Sequence, residues 1–193
     1  MDAPPTLLDL LQRTGAWLVE KGIANGRREA DWIFQHVLRL SRLDLYTRFD
    51  MPLSEAEVAA LRDLVRRRGR REPLAYLLGT QPFCGLELTV TPAVLVPRPE
   101  TEELVGLVRR DLRDAAAPRL LDVGTGSGAI ALALTKALPA ATVAATDVSA
   151  EALAVARGNA QRLGLVVEFH QGHLATHLPG GWDAVVANLP YVP

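Results

Sequence analysis

The second half of the sequence alternates between short apolar runs and helical periods, and this alternation constrains the fold more than any other feature. From residue 119 onward the pattern predicts four strands, at 120–123, 142–146, 166–170 and 184–187. It predicts helices at 129–138 and 149–163. Strands that alternate with helices in this way form a parallel sheet with crossover helices. We therefore expect an α/β fold in this part of the chain.

A glycine-dense turn connects the first of these strands to the helix that follows. Glycines stand at 124, 126 and 128, and an acid, Asp122, precedes them. Glycines let a ligand lie against the backbone and allow a turn to adopt unusual dihedral angles. Asp147, at the end of the next strand, is placed to accept hydrogen bonds from the two hydroxyls of a ribose. Turn and acid together predict a nucleoside ligand.

The spacing of these glycines separates two cofactor classes. The dinucleotide fingerprint reads GxGxxG, whereas the glycines here are one residue closer together. This spacing, with Asp122 before the turn, favours S-adenosyl-L-methionine over NAD. A tight strand-to-helix connection that binds no ligand is the structural alternative.

Four residues follow the last predicted strand and indicate the chemistry: Asn188, Leu189, Pro190 and Tyr191. An amide oxygen and a fixed backbone carbonyl can accept the two hydrogens of a planar NH2 group, and an aromatic ring can stack on it. An ordinary turn at an Asn-Pro sequence is the alternative. We expect these residues to form the catalytic site of an amino-methylating enzyme.

The first part of the chain shows helical periods instead. Apolar residues recur after Pro5, again after Gly26, and a third time after a capping-box pattern at Ser54 and Glu57. Residues 1–80 are therefore predicted to be a small helical bundle. Residues 81–97 are expected to form a β-hairpin linker, with strands at 86–90 and 93–96, and residues 98–193 to form the α/β domain.

Composition excludes several classes of protein. The chain has 193 residues, a net charge of −1 and a single cysteine, which leaves no internal disulfide and no cysteine-based zinc cluster. There is neither a signal-peptide pattern nor an apolar run of about 18 residues, so we expect a cytoplasmic protein with no membrane partner. The three histidines near the last strands do not share a helical face, and no metal site is expected. Direct binding to nucleic acid is not expected either.

A dense run of arginines lies late in the third predicted helix, at 66–68, 70 and 71. One interpretation makes this run a contact for a release factor or ribosomal RNA. The other makes it a solvated helix end whose positive charges complement the helix dipole.

Segments 71–79, 83–86, 94–102 and 188–191 resemble those of the release-factor glutamine N5-methyltransferases (the HemK/PrmC family), in the same order. This family belongs to the class I S-adenosylmethionine-dependent methyltransferases. The resemblance implies a Rossmann-like methyltransferase sheet with its first four strands present, preceded by the helical bundle and the hairpin. The sequence departs from the family at Leu189, where a second proline is usual, and at His173, where an acid is common.

The resemblance also implies roles for particular residues. The cofactor would be held by Asp147 and by the whole turn, Gly124, Thr125, Gly126, Ser127 and Gly128. Leu174 would lie beside the adenine, and Asn188 would touch both cofactor and substrate. The substrate would be the glutamine of the Gly-Gly-Gln loop of peptide-chain release factors, onto which the helical bundle would dock.

Two other functions stay open on the sequence alone. An Asn-x-Pro-Tyr tetrad also occurs in DNA and RNA amino-methyltransferases. A non-catalytic fragment that binds nucleoside or release factor is the second, because the family's sheet has seven strands and only four are counted here. The sequence thus leads us to expect a C-terminally truncated, monomeric chain with impaired or absent activity.

Overall fold

The computed structural model of the chain describes residues 6–176 and 178–189. The chain divides into two compact units, Met1–Leu78 and Gly79–Pro193. None of the helices in the described ranges is long and apolar enough to span a membrane.

Helices make up the regular structure of the first unit: α1 (Leu7–Glu20), α2 (Gly26–Leu38), α3 (Arg42–Thr47), α4 (Glu55–Gly69) and α5 (Leu74–Leu78). The Ser54 hydroxyl accepts from the backbone N–H of Glu57, and the Glu57 carboxylate accepts from the Ser54 backbone, so the predicted capping box is confirmed. The short helices α3 and α5 were not predicted, because five or six residues are too few to show a helical period.

The core of the first unit is formed by apolar side chains from the inward faces of these helices. Its largest fully buried members are Leu7, Leu18, Ile33, Phe34 and Leu45. The buried carboxylate of Asp31 is satisfied by Arg42 and by the Tyr46 hydroxyl, which joins α2 to α3. A polar residue is therefore accommodated in this core only because α3 supplies both of its donors.

The second unit begins with an antiparallel hairpin of β1 (Thr80–Phe83) and β2 (Leu86–Thr89). The prediction that 86–90 pairs with 93–96 is wrong, since residues 93–96 form no strand and the partner of β2 precedes it. The two strands are joined at Cys84 and Gly85, which both have positive φ, 47° and 68°. Two positive φ values in a two-residue turn match the twist of the paired strands.

The rest of the second unit is a parallel sheet with helices between its strands. The strands are β3 (Arg119–Val123), β4 (Thr142–Asp147), β5 (Glu168–Gln171) and β6 (Ala184–Ala187), in the spatial order β5-β4-β3-β6. The helices are α6 (Glu100–Leu112), α7 (Ala129–Ala137) and α8 (Ala150–Leu163). The predicted α/β fold with four strands is confirmed, and β5 begins two residues later than the sequence indicated.

The two faces of this sheet are covered differently. On one face Leu120, Val143 and Val186 pack in a core with α7, whose residues from Ala129 to Leu134 are all buried. On the other face Leu121, Val123 and Ala144 are covered by the segment that carries Ala175, Leu178 and Trp182. Burial on both faces explains why β3 and β4 read as nearly continuous apolar runs rather than as an alternating pattern.

Candidate active site

The carboxyl ends of β3, β4 and β6 meet at one edge of the sheet. In the parallel register Val123 lies opposite Thr146 on one side and Ala187 on the other. The chain runs from β3 through β4 to β5, and then returns to place β6 on the far side of β3. Such a reversal opens a crevice at the carboxyl ends of the strands, where open α/β sheets bind ligands.

A cleft of about 330 Å³ occupies this position. Six of the predicted site residues line it: Gly124, Gly126, Asp147, Leu174, Asn188 and Leu189. Thr125 and Ser127 are buried within the turn, and Gly128 is the N-cap of α7. Pro190 and Tyr191 lie outside the described residues. The structure therefore brings together residues that are more than sixty positions apart in the sequence.

The glycine turn is fixed against β4. The backbone N–H groups of Gly124 and Thr125 both donate to the carbonyl oxygen of Thr146, at 2.8 and 2.9 Å. A Cβ atom at Gly128 would come within 3.1 to 3.2 Å of Leu132 and Ala156, so this glycine allows α7 and α8 to pack closely. A Cβ at Gly126 would meet nothing within 4 Å. The backbone at Gly126 thus borders open space in the cleft.

Asp147 is held in a defined orientation at the end of β4. One carboxylate oxygen accepts from the N–H of Gly126 and the other from the N–H of Ser149, each at 2.9 Å. A carboxylate has about four lone-pair positions, so these two bonds leave acceptor capacity on both oxygens. Asp147 can therefore accept from a pair of neighbouring hydroxyls without losing its contacts to the turn.

Asp122 supports the turn from behind. One of its carboxylate oxygens, Oδ2, accepts from the Thr125 hydroxyl at 2.6 Å and from the N–H of Ala131 at 3.1 Å. The other oxygen, Oδ1, is buried and has no hydrogen-bond partner among the described residues. The pKa of Asp122 is raised to about 6, chiefly by burial; the two hydrogen bonds lower it and the nearby charge of Asp147 adds to the rise. Asp122 links the turn to the first residues of α7.

The first turn of α6 contacts the end of β6. The side-chain amide nitrogen of Asn188 donates to the Thr101 hydroxyl at 3.2 Å. The Leu189 side chain lies directly over Gly124, where a Cβ atom would be only 2.5 Å from Leu189 Cδ2. Gly124 therefore makes room for Leu189, and the glycine turn, α6 and the residues after β6 are packed together.

A buried amide joins the glycine turn to the hairpin. Asn159, on α8, donates from Nδ2 to the carbonyl oxygens of Ser127 and Thr89, at 2.9 and 3.0 Å. Its Oδ1 accepts from the N–H of Thr89 at 2.7 Å. Sequence reasoning missed Asn159, although one signal was present. This residue is a polar interruption on an otherwise alanine-rich buried face of α8.

The outer wall of the cleft is formed by the loop after β5. Leu174 is a non-glycine residue with a φ of 52°, and the residue is 44% exposed. His173, beside it, also lines the cleft and is exposed. Left-handed conformations are costly for a leucine, so the loop must be held by its surroundings to keep this apolar side chain at the cleft.

Among the described residues, no cluster of histidine, cysteine or acidic side chains is arranged to hold a metal.

Two protein-family models match the chain. Residues 9–79 match the PrmC N-terminal domain, and residues 105–192 match the methyltransferase small domain. The two matches fall on the helical unit and on the α/β unit that contains the cleft.

Two relatives that match over nearly the whole of this chain carry the same name. The release factor glutamine methyltransferase of Geobacter sulfurreducens is 47% identical, over 97% of this chain and 66% of the relative. The protein of the same name from Deinococcus radiodurans is 42% identical, over 97% of this chain and 67% of the relative. The chain thus spans about two thirds of the length of these curated relatives.

A solved structure shares the fold of part of the chain. The Thermus thermophilus 16S rRNA N2 G1207 methyltransferase, in complex with AdoMet and guanosine, aligns with a TM-score of 0.50 at 20% identity. The alignment covers 58% of this chain and 32% of that protein. At this identity the similarity concerns the methyltransferase fold alone.

Proposed function

This chain belongs to the release factor glutamine methyltransferase family, and we propose that it transfers a methyl group from S-adenosylmethionine to a glutamine side chain. The acceptor is the amide nitrogen of the glutamine in the Gly-Gly-Gln motif of peptide-chain release factors. One observation carries the proposal: Asn188 lies beside the glycine turn and Asp147 in the same cleft. A planar amide that reaches Asn188 therefore also reaches the place where the nucleoside cofactor is expected.

The cleft suits the proposed cofactor. The open space at Gly126 leaves room for a ligand against the backbone, and Asp147 keeps acceptor capacity for the two ribose hydroxyls. Leu174 offers an exposed apolar side chain for the adenine ring. The cofactor would be held by Gly124, Thr125, Gly126, Ser127, Gly128, Asp147, Leu174 and Asn188. When bound, S-adenosylmethionine supplies an electrophilic methyl group attached to a positively charged sulfur.

The acceptor nitrogen is a poor nucleophile, because its lone pair is delocalised into the carbonyl group. In the proposed mechanism, the Asn188 side-chain oxygen and the Leu189 backbone carbonyl accept the two N–H hydrogens. They direct the nitrogen toward the methyl group and stabilise the positive charge that develops on it. Alignment of two reactants can lower a barrier by about 7 to 11 kcal/mol, so a strong general base is not required.

Neighbouring groups would fix these two acceptors. Asn188 Nδ2 donates a hydrogen bond to the Thr101 hydroxyl, which holds the nitrogen end of the side-chain amide at α6. The proline at 190 restricts the backbone of Leu189 to extended geometry. The Tyr191 ring would stack on the substrate amide plane. The proton can leave after methyl transfer, since an N-alkylated amide cation is very acidic.

The proposal assigns the helical unit to docking on the release factor, so that the Gly-Gly-Gln loop reaches the cleft. The enzyme would act as a cytoplasmic monomer on a protein involved in translation termination. The match of residues 9–79 to the PrmC N-terminal domain supports the role assigned to the helical unit.

Transfer of a labelled methyl group tests the proposed acceptor class. The chain and labelled S-adenosylmethionine are incubated separately with a release factor, duplex DNA and ribosomal RNA. Label is expected on the release factor alone, and it should vanish when the motif glutamine is replaced by glutamate. Cofactor binding is measured independently by calorimetry. Label on DNA or RNA would contradict the proposal. Bound cofactor with no transfer to the release factor would also contradict it, and is the outcome that a non-catalytic fragment predicts.

A further inference from the structure

A second cavity, of about 320 Å³, lies within the helical unit among α1, α2 and α4. Its floor is formed by the buried side chains of Phe34 and Leu61, and its walls include the partly buried Leu10, Trp17, Val58 and Val65. The charged residues that line it are Arg62 and Arg66, both exposed. We call this cavity the arginine-lipped pocket.

These two arginines differ from their neighbours on α4. Arg67 forms ion pairs with Glu72 and Asp63, and Arg68 forms one with Glu29, so the fold itself occupies both side chains. The side chains of Arg62 and Arg66 make no hydrogen bond or ion pair with any described residue. They lie four residues apart on one helix face, where two like charges repel each other. Two positive charges are thus held without partners at the lip of an apolar pocket.

The arrangement favours a protein ligand over a nucleic acid. Single-stranded bases stack on open aromatic faces. The Trp17 ring instead packs on the backbone of Gly69, where a Cβ atom would be only 2.4 Å from it. The Lys21 ammonium lies 5.3 Å from the centre of the same ring. The apolar side chains of Phe34 and Leu61 at the pocket floor cannot hydrogen-bond to a phosphate, whereas they can bury an apolar side chain.

We propose that the arginine-lipped pocket binds a bulky apolar side chain of a release-factor segment that carries carboxylates on both sides of that side chain. The apolar side chain fills the pocket, and the two guanidinium groups pair with the flanking carboxylates. This inference rests on the proposed function, because it takes the release factor as the partner. It gives a role to Arg62 and Arg66, which do not line the cofactor cleft.

The test is direct binding of the chain to a release factor, measured by calorimetry. In one variant, R62E/R66E, both lip charges are reversed at exposed positions that the fold does not use. The control variant R13E/R70E changes the net charge equally at exposed residues outside the pocket. The affinity should fall about tenfold or more in the first variant and less than about threefold in the control. The salt dependence of binding should also weaken in the first variant alone.

A third variant, V58F, partly fills the pocket without changing charge and should also weaken binding. Folding of every variant is checked by its thermal unfolding. Unchanged affinity in folded R62E/R66E, equal loss in both charge variants, or a wild-type chain that does not bind would overturn the inference. Self-association abolished by R62E/R66E would overturn it too, since a second copy would then be the occupant.

Methylation of a short Gly-Gly-Gln peptide separates this inference from the proposed function. In the proposed mechanism such a peptide binds only at the cleft, so R62E/R66E and the wild type should methylate it at equal rates. No methylation by the wild type contradicts the proposed function, while binding to the release factor still decides the role of the pocket.

Discussion

The side-chain amide nitrogen of Asn188 donates a hydrogen bond to the hydroxyl of Thr101, 3.2 Å away and 87 residues earlier in the chain. Asn188 follows β6, and Thr101 lies in the first turn of α6. A primary amide can present either its oxygen or its nitrogen to a substrate. Because the amide nitrogen binds Thr101, this hydrogen bond fixes the orientation of the Asn188 side chain. It thereby orients the amide oxygen, which is the proposed acceptor of the substrate N–H.

Replacement of Thr101 by valine should lower kcat about tenfold, because the Asn188 amide loses the contact that orients it. Affinity for S-adenosylmethionine should stay within about twofold, since Thr101 is not among the residues that line the cleft. Steady-state kinetics with a release factor and calorimetry with the cofactor measure the two effects. Thr101→Ser keeps the hydroxyl and should retain activity. Equal activity in the valine and serine variants would show that Thr101 does not orient Asn188.

An alanine at Gly126 should impair cofactor binding more than folding. The added Cβ meets no protein atom within 4 Å, so it occupies open space at the cleft. The positive φ of 55° adds strain of roughly 1 to 2 kcal/mol. Calorimetry should show at least about a tenfold loss of cofactor affinity in a variant that still unfolds cooperatively.

Gly158→Ala is the matched control, because Gly158 lies inside α8 and an added Cβ there also meets nothing within 4 Å. This variant should gain about 0.5 to 1 kcal/mol of stability and bind the cofactor normally. If Gly126→Ala bound the cofactor as tightly as Gly158→Ala, the turn would not be the cofactor cradle.

Asp122 should make stability depend on pH in an unusual direction. Its pKa rises from 3.8 to about 6 on folding, chiefly through burial, so the folded chain binds more protons than the unfolded chain between these values. The contribution of Asp122 to stability is therefore full below pH 3.8 and is lost as pH rises through 6. A shift of about two units corresponds to roughly 3 kcal/mol.

Chemical denaturation of the wild type and of Asp122→Asn, measured between about pH 4 and 7, isolates this effect. The asparagine variant cannot ionise, so its free energy of unfolding should rise relative to the wild type as pH increases. A difference between the two proteins that is independent of pH would contradict the raised pKa.

Asn159→Ala should destabilise the second unit by about 2 to 3 kcal/mol, since it removes the side-chain partner of the buried Ser127 carbonyl and of the partly buried backbone groups of Thr89. Thermal unfolding measures the loss. Gln161→Ala, at an exposed position of the same helix, should change stability by less than about 0.5 kcal/mol. Amide hydrogen exchange should accelerate in β2 of the Asn159 variant. Unaltered amide exchange in β2 would mean that Asn159 does not stabilise the hairpin.

The sequence was sufficient to predict the features that depend on neighbouring residues. Strands β3, β4 and β6 contain short apolar runs, and Gly124 and Gly126 stand between a strand and a helix, so the location of the turn follows from local pattern. Asp147 and Asn188 could be assigned to the same edge because parallel strands have their carboxyl ends on one side.

Other features depend on contacts between distant residues or on unusual backbone geometry. Cys84 adopts a positive φ that favours glycine, so the hairpin turn carried only half of its usual signal, and the wrong pair of strands was predicted. The roles of Thr101 and Asn159 arise from hydrogen bonds to partners 87 and 70 residues away. No local pattern contains such pairings.

Mass spectrometry of a release factor after incubation with the chain and S-adenosylmethionine is the sharpest test of the proposed methyl transfer. One added methyl group is expected on the glutamine of the Gly-Gly-Gln motif. Asn188→Ala should abolish this product while calorimetry still detects cofactor binding, because the proposed mechanism has Asn188 accept from the substrate amide. A methyl group on another residue, or near-normal methylation by the folded Asn188→Ala variant, would show that the proposed mechanism is wrong.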